Sequence, residues 1–291
     1  MRIFRKKNIA LPFQSSLNDT WTTNPLQENA KRISELCKGQ DFETAWYKRW
    51  CKEFKETPRF HRKQWEFAFI MQALWERDCL KENNSGLVFA VGTEPVPSVF
   101  AKLGCNILAT DINPEEGIEK GWNNGNQLCF GVEALNERKI CDNEIFLKRV
   151  KYQSVDMNAI PGELLGFDFS WSSCSFEHLG SLEKGFAFLK NQLKTLKPGG
   201  WSVHTTEYNI SSNHETQENE NTVIYRQRDI ERIVSELKNE GHFVEELDFS
   251  LGNMQQDFTV DFPPYQGEPH TRLMVDKYVT TSIGLIIRKK S

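Results

Sequence analysis

The chain has 291 residues, which is enough for one large α/β domain with a buried core or for two small domains. Hydrophobic residues make up 38% of it and charged residues 26%, a balance typical of an ordered globular protein rather than a disordered one. The formal net charge of -4 argues against a protein that binds nucleic acid, because such proteins usually present a basic face to the phosphates.

The seven cysteines are dispersed along the chain and include no C-x-x-C pair. Such a set predicts reduced thiols, not a disulfide framework or a zinc site, and we expect no metal. No segment approaches the roughly 18 apolar residues of a membrane span, and residues 1–16 lack the apolar core of a signal peptide. The sequence therefore predicts a cytoplasmic protein without a membrane span.

Residues 1–82 are predicted to form a helical extension or lid, because they contain no clear strand pattern. Asp41 is expected to cap a first helix whose aromatic residues recur at a spacing of four. A second helix is predicted from His61 to Leu80, where the apolar residues follow helical spacing.

Residues 83–291 alternate between strands and helices, which predicts one α/β domain. The first five strands are expected at Gly86–Gly92, Asn106–Ile112, Tyr152–Met157, Phe167–Ser172 and Trp201–Thr206. Helical patterns between several of them imply crossover connections, hence a mostly parallel sheet with helices on both faces. The last two strands, Phe243–Phe249 and Tyr278–Arg288, have no helix between them and are expected to be antiparallel neighbours.

The ends of the first three strands carry residue types that a nucleoside site needs. Gly92 ends the first apolar run, and a glycine lets the backbone approach a ligand because it has no Cβ. Asp111, followed by Ile112, comes 19 residues after Gly92, close to the roughly 20 at which a carboxylate accepts ribose hydroxyls. Asp156 and Met157 can meet the amine and the face of an adenine. A plain βαβ unit with a solvated Asp111 remains the alternative on these residues alone.

Two later motifs are more specific. The fourth strand continues as SSCSFEHL over Ser172–Leu179, and LKPGG at Leu196–Gly200 precedes the fifth strand. This order resembles the class I S-adenosylmethionine-dependent methyltransferases, in which FD-x-(V/I)-x-(C/S), E-H-(L/I) and LKPGG occur in the same places. The resemblance covers roughly Gly86 to Arg288. It implies S-adenosylmethionine as the cofactor and a seven-stranded, mostly parallel Rossmann-like sheet with an antiparallel last strand.

Four segments resemble, more narrowly, uncharacterised bacterial methyltransferases often associated with surface-polysaccharide genes. They are HRKQWEFAFI, VGTEPVPSVFAKLGC, HTTEYNISSN and YVTTSIGLIIR. This likeness implies carbohydrate biosynthesis and O-methylation of a small-molecule or saccharide acceptor. Oxygen is also favoured because the (D/N)-P-P-Y motif of amino-methyltransferases does not follow the fourth strand. The similar run DFPPY, Asp261–Tyr265, comes late and is predicted to cap the acceptor site.

The first loop departs from the family's D-x-G-x-G-x-G. It reads AVGTEPV from Ala90 to Val96, so only the first glycine is kept. We expect Pro95 to fix the turn and Glu94 to point toward the cofactor, whose ammonium and sulfonium groups are cationic. The cofactor-binding residues implied are Gly92, Glu94, Asp111, Ile112, Asp156, Met157 and Ser173.

Methyl transfer is an in-line displacement in which the protein aligns the acceptor and often removes one proton. His178 after the fourth strand and His204 in the fifth are catalytic candidates, because the unperturbed pKa of histidine is about 6.5. His178 could instead hold the cofactor pocket, and His204 could be a core histidine. Glu207, at the end of the fifth strand, is better placed to face an acceptor. Insertions near 211–224 and 251–276, with the N-terminal helices, are expected to build the acceptor pocket.

Two alternatives stay open. A nicotinamide-dependent oxidoreductase on a Rossmann fold would need G-x-G-x-x-G after the first strand, and VGTEPVP does not supply it. A non-catalytic methyltransferase-like scaffold would follow if the altered loop no longer bound the cofactor.

Overall fold

The computed structural model describes residues 31–119, 121, 127–265 and 267–291, so the first 30 residues of the predicted extension lie outside the described part. The helices in that part are α1 (Ala45–Glu53), α2 (Arg62–Trp75), α3 (Val96–Lys102), α4 (Pro114–Glu119), α5 (Asn143–Arg149), α6 (Leu182–Gln192) and α7 (Gln227–Asn239). The strands are β1 (Ser34–Leu36), β2 (Ser85–Phe89), β3 (Asn106–Asp111), β4 (Val150–Ser154), β5 (Phe167–Ser173), β6 (Leu196–Asn209), β7 (Phe243–Val244), β8 (Leu247–Asp248), β9 (Val260–Asp261), β10 (Arg272–Val275) and β11 (Tyr278–Arg288).

These strands form one sheet whose main path runs β4-β3-β2-β5-β6-β11-β1-β8. Strands β2 to β6 pair in parallel. Strand β11 is antiparallel to both β6 and β7, so the expected antiparallel last pair is confirmed for Phe243–Val244. The rest of the predicted strand Phe243–Phe249 forms β8, which pairs with β1 instead.

The sheet has 11 strands in the described residues, whereas seven were predicted. The additional strands are β1, β8, β9 and β10, of two to four residues each. Strand β1 pairs with β11 and β8, and β10 pairs with β11 and β9. Strands this short show too little alternation to be recognised from sequence. Pairing with the long β11 stabilises β1 and β10, and these two in turn pair with β8 and β9.

Two strand ends differ from the prediction in a way that shapes the edge of the sheet. Strand β2 ends at Phe89 and not at Gly92, because Ala90 (φ 50°) and Gly92 (φ 52°) turn the backbone into the left-handed region. Strand β4 ends at Ser154, so Asp156 and Met157 lie in the turn beyond it.

The region before β2 is part of the main body from residue 31 onward: Lys31–Ser291 forms one compact unit. The prediction that it contains no strand is wrong, because β1 joins the sheet. Helix α1 is capped by Thr44, whose hydroxyl accepts from the backbone of Tyr47 (3.4 Å), and not by Asp41. Asp41 is buried and accepts from the indole N–H of Trp65 (2.8 Å).

Helices cover both faces of the sheet, as predicted. One core contains α1, α2 and α3 and is rich in rings, among them Trp50, Trp65, Phe69, Phe100 and Trp171. The core on the opposite face contains α6 and α7, with Phe186, Leu189, Ile230, Ile233 and Leu237. None of the helices in the described residues is long and apolar enough to cross a membrane.

Helix α2 lies close against the sheet because Gly284 of β11 has no side chain. A Cβ at Gly284 would stand 2.1 Å from Cε1 of Phe69 on α2, well inside contact distance. This approach brings the first turn of α2, with Arg62 and Glu66, to the carboxyl end of β5 and β6.

Candidate functional site

The carboxylate of Asp111 holds the turn that follows β2. It accepts backbone N–H groups from Gly92 (2.9 Å), Cys129 (3.2 Å) and Ile112 (2.8 Å). Burial raises the pKa of Asp111, although the three N–H groups act in the opposite sense. A Cβ at Gly92 would lie 3.1 Å from the carbonyl oxygen of Gln127, in a left-handed conformation that favours glycine. The predicted glycine and acid therefore meet at the carboxyl edge of the sheet.

A narrow cleft opens beside Asp111, at the ends of β2, β3 and β4. The predicted residues that line it are Asp111, Ile112, Asp156, Met157 and His178. Its volume of about 20 Å³ holds about one water molecule. Asp156 is exposed and accepts from the backbone N–H of Asn158 (2.8 Å), whereas Met157 is buried. Four of the seven predicted cofactor residues thus share one cleft.

A charged cluster lies at the start of α2. Arg62 Nη2 is 2.6 Å from Glu207 Oε2, and Arg62 Nη1 is 3.6 Å from Glu66 Oε1. Lys63 Nζ is 3.2 Å from Glu66 Oε2 and also donates to the backbone oxygen (3.0 Å) and hydroxyl (3.1 Å) of Ser173. The predicted Ser173 and Glu207 are thereby joined through helix α2.

Sequence reasoning missed Lys63 and Glu66. A signal was available, because RKQWEF places charges of opposite sign three and four residues apart at the start of an otherwise aromatic helix. Such a pair usually lies on a solvated surface, and the sequence has no sign that Glu66 is fully buried.

The ion cluster stays charged. Burial alone would raise the pKa of Glu66, but Lys63 and Arg62 lower it to about 2. Burial would lower the pKa of Arg62, and Glu207 with other nearby acids raises it instead. Cys174 donates its thiol to Glu66 Oε1 (2.9 Å), and burial with the adjacent carboxylates raises its pKa well above the usual range. Cys174 is therefore a hydrogen-bond donor here and not a thiolate.

Glu177 and Glu207 face each other at this edge. Glu207 accepts from the hydroxyl of Thr280 as well as from Arg62, and Glu177 accepts from the hydroxyl of Thr206 (3.0 Å). Burial raises the pKa of Glu177, and Glu207 adds to the effect.

The thiol of Cys174 and the carboxylates of Glu177 and Glu207 have ligand atoms within 4.8 Å of one another. This spacing could hold a metal ion. However, Arg62 already compensates Glu207, and Cys174 keeps its proton, so the set is poorly suited to binding a cation.

Glu94 lies under the first loop. Its carboxyl accepts from the indole N–H of Trp171 (2.6 Å), and only 6% of the residue is exposed. Burial raises the pKa of Glu94 to about 8, while Trp171 and then Lys63 act in the opposite sense. Pro95 stands directly before α3, where its fixed φ of -80° suits a helix start.

The two histidine candidates lie in different surroundings. His178 lines the cleft, and its Nδ1 is 2.6 Å from the backbone oxygen of Asn221, in the predicted 211–224 insertion. His204 is fully buried between the rings of Phe176 and Phe188, with Nδ1 2.8 Å from the hydroxyl of Ser172. Burial lowers the pKa of His204 to about 3. His204 thus occupies the position of a core histidine.

The late insertion packs against the start of α2. His270 donates its backbone N–H to Phe60 (2.7 Å), and Arg62 donates its own to the carbonyl of His270 (2.9 Å). The His270 ring stacks on His61 at 4.5 Å, with Nδ1 2.7 Å from Asp261 Oδ2. From sequence, His270 falls in the late insertion and His61 opens the second helix, where it could touch the methionine carboxylate or solvent. Their contact was not predicted, because the loop that brings them together has no regular pattern.

The DFPPY run carries exposed rings next to this cluster. Phe262 is 55% exposed and Tyr265 46%, and the Tyr265 ring meets His270 edge-on at 5.4 Å. The pKa of Tyr265 is raised by burial and then by Glu207, which places its hydroxyl within electrostatic range of that acid. The run therefore lies beside Arg62 and Glu207.

No family model matches the chain, and no curated protein matches it either. Solved structures that align with it include a SAM-dependent methyltransferase from Aquifex aeolicus, with 17% identity, a TM-score of 0.40 and coverage of 74% of this chain and 87% of that chain. Another from Clostridium acetobutylicum has 15% identity, a TM-score of 0.44 and coverage of 79% and 92%. The [4+2]-cyclase SpnF has 14% identity, a TM-score of 0.48 and coverage of 76% and 82%. Similarity at this level does not assign an activity to the chain.

Proposed function

We propose that the protein is an S-adenosylmethionine-dependent methyltransferase that methylates an oxygen of a small-molecule or carbohydrate-type acceptor. The observation that carries the proposal is the meeting of Gly92 and Asp111 at the carboxyl edge of a parallel sheet, with Asp156 and Met157 in the same cleft. Ligands of open α/β sheets bind at this edge. A cytoplasmic role in carbohydrate biosynthesis belongs to the same proposal and rests on the narrower sequence resemblance.

The donor set at the cleft fits the parts of this cofactor. Asp111 would accept the ribose hydroxyls, Asp156 the adenine amine, and Ile112 with Met157 would cover the ring faces. The small volume of the cleft means that it must widen before a nucleoside enters. The contacts of Asp111 with Gly92 and Cys129 are the ones that ribose would compete for. When bound, the cofactor supplies an electrophilic methyl group on a sulfonium.

The acceptor would lie over β5 and β6, facing Glu207. Arg62 and Glu207 together offer donors and acceptors for neighbouring hydroxyls, and Tyr265 and Phe262 offer flat apolar rings nearby. Glu207 or His178 would take the proton of the reacting hydroxyl, because both lie at this edge. We give His204 no part in proton transfer, since it is fully buried between two aromatic rings.

A nicotinamide-dependent oxidoreductase is the weaker proposal. Its pyrophosphate would need the backbone N–H groups of the first loop, and here the buried acid Glu94 replaces a glycine. A carboxyl at that place cannot offset the charge of a pyrophosphate, whereas it can offset that of a cation by losing its proton. A non-catalytic scaffold is the third possibility, and it predicts that no cofactor binds.

Isothermal titration calorimetry with S-adenosylmethionine, S-adenosylhomocysteine and NAD separates these proposals. We expect both sulfur compounds to bind and NAD to give no heat. Asp111→Asn should weaken S-adenosylmethionine binding about tenfold to a hundredfold, because a hydrogen bond to a charged group contributes about 1.5–3 kcal/mol. Asp168→Asn is the matched control, since Asp168 pairs with Lys197 and with Ser85 at the opposite end of the strands.

The outcomes of this experiment are distinct. If neither S-adenosylmethionine nor S-adenosylhomocysteine binds, the result contradicts the proposal and supports the scaffold. Binding of NAD alone supports the oxidoreductase. Transfer of labelled methyl to a panel of saccharides, phenols and amines then tests the acceptor. A methyl amine as the only product would contradict methylation at oxygen.

A further inference from the structure

Glu94 is a buried acid at a place where the resembled family has a glycine. The acid that opens the family's loop is replaced here by Ala90, so Glu94 is the acid that this loop retains. Within the described part of the chain, its carboxyl accepts one hydrogen bond, from the indole N–H of Trp171 at 2.6 Å. The carboxyl therefore lies inside the protein, beneath the loop that the cofactor would contact.

The charged groups around Glu94 are paired or hydrogen-bonded with other residues. Lys63 and Glu66 face it from α2, and Asp111 faces it from β3. Lys63 is 3.2 Å from Glu66 and also donates to Ser173, and Asp111 accepts backbone N–H groups. Among the residues that the structure describes, Glu94 takes part in no ion pair.

A buried carboxylate without a cation and with a single neutral donor is strongly disfavoured relative to the protonated acid. Burial raises the pKa of Glu94 to about 8, which agrees with these contacts. Near neutral pH, Glu94 therefore carries its proton in the ligand-free protein.

The position of Glu94 corresponds to one part of the cofactor. Its carboxyl lies within electrostatic range of Asp111, the ribose side, and of the Lys63–Glu66 pair, the side of the acceptor cluster. The sulfur of S-adenosylmethionine joins the ribose to the methionine chain and points its methyl at the acceptor. In the proposed complex the sulfur would lie between these two groups, and the charges of both act on Glu94.

We propose that Glu94 is the counter-ion of the cofactor's sulfonium and loses its proton to the solvent when S-adenosylmethionine binds, which makes it the residue that favours the methyl donor over the demethylated product. This inference rests on the proposed function. S-adenosylhomocysteine has a neutral sulfur and leaves Glu94 protonated. The methionine ammonium is present in both compounds and is largely protonated in both at pH 7, so its contribution to the proton release is small.

The affinity for S-adenosylmethionine should depend on pH. Because binding releases a proton, the affinity for S-adenosylmethionine rises with pH, by up to about tenfold per unit, and levels off above the free-state pKa of about 8. The affinity for S-adenosylhomocysteine changes much less over the same range.

Calorimetry on the full chain at pH 7, in phosphate and in Tris, measures the protons exchanged, because the two buffers have different ionisation enthalpies. We expect about one proton released per S-adenosylmethionine bound and none with S-adenosylhomocysteine. Glu94→Gln keeps an acceptor for Trp171 but has no proton to lose. It should abolish the release and weaken S-adenosylmethionine binding at least tenfold at pH 8 relative to S-adenosylhomocysteine.

Glu35→Gln is the matched control. Glu35 on β1 is also buried, with a pKa raised by burial to about 7, but β1 lies four strands away from β2 in the sheet. This variant should release the same proton as the unaltered protein.

Three results would overturn the inference. They are equal heats in the two buffers with S-adenosylmethionine, equal proton release with both sulfur compounds, and unchanged release in Glu94→Gln. The first two use the unaltered chain and do not depend on the folding of a variant. Failure of both sulfur compounds to bind is a separate result, which contradicts the proposed function and this inference with it.

Discussion

Glu66 shows how the charges of the site are held at the scale of single residues. Its side chain is fully buried, yet it is ionised because Lys63 and Arg62 lie on the same helix turn. Three neutral groups also donate to it, the hydroxyls of Ser173 and Ser282 and the thiol of Cys174. A buried carboxylate needs this number of partners, since each unsatisfied lone pair would add to the desolvation cost.

We expect Glu66→Gln to lower the free energy of unfolding by about 3 kcal/mol, because it removes the buried charge that pairs with Lys63 and leaves Arg62 with Glu207 as its remaining partner. The pKa of Glu66 is about 2 in the folded protein and near 4.5 when unperturbed. Its contribution is therefore complete above about pH 4.5 and is lost as the pH falls toward 2. Urea unfolding at pH 7 and pH 3 measures both effects.

The control for this prediction is Glu236→Gln on α7. Glu236 is partly exposed and pairs with Lys190 and Arg232 at the surface, so its loss should change stability by less than about 1 kcal/mol. Equal destabilisation by the two variants would contradict the role given to Glu66.

At the scale of secondary-structure elements, helix α2 was predicted from sequence, but the face that it packs against the sheet was not. Its periodicity predicted a helix from His61 to Leu80, and the helix runs from Arg62 to Trp75 with His61 as its N-cap. Most of it is buried, including the polar Gln64 and Gln72, so no single apolar stripe could have shown which side meets the sheet.

Gly284→Ala tests the close approach of α2 to β11. The added Cβ would overlap Phe69, and we expect a loss of about 1–3 kcal/mol because the helix or the strand must shift. Gly162→Ala is the control, since nothing lies within 4 Å of a Cβ there. Thermal and urea unfolding compare the two. A stable Gly284→Ala variant with unaltered S-adenosylmethionine affinity would show that α2 can move without consequence for the site.

At the scale of the whole molecule, the late insertion is tied to residues near β1. Arg272 and Asp257 form an ion pair at 3.0 Å, and both side chains are 1% exposed. Arg272 also donates to the carbonyl of Cys37 (2.8 Å), and Asp257 accepts from the backbone of Gly39 (2.7 Å). Segments more than 200 residues apart in the chain are thereby fixed to each other.

Asp257→Asn should lower the free energy of unfolding by about 3 kcal/mol and expose residues 251–276 to proteolysis, because Arg272 is left buried without a counter-charge. Limited digestion followed by mass spectrometry locates the cleavage, and urea unfolding measures the loss. Asp276→Asn changes an exposed acid of the same insertion and should leave both measurements unaltered. Cleavage elsewhere in Asp257→Asn would contradict this account.

Local chemistry made part of the site predictable. The glycine turn, the acid at the end of β3 and the run of Asp156 and Met157 could be read from sequence, because strand ends and turns depend on neighbouring residues. The charged cluster could not. Glu66 and Ser282 are 216 residues apart in the chain, and the sequence carries no local trace of their contact.

The sequence by itself determined the alternation of strands and helices, the antiparallel last pair and the place of Asp111 after Gly92, since periodicity and turn residues act over a few positions. Only the tertiary structure decided that β1 enters the sheet, that His204 is enclosed by rings and that Glu94 is buried against the indole N–H of Trp171. Burial depends on what packs over a side chain from distant segments. Burial is also what governs the protonation of Glu94 and Glu66, so tertiary packing sets the electrostatics of this site.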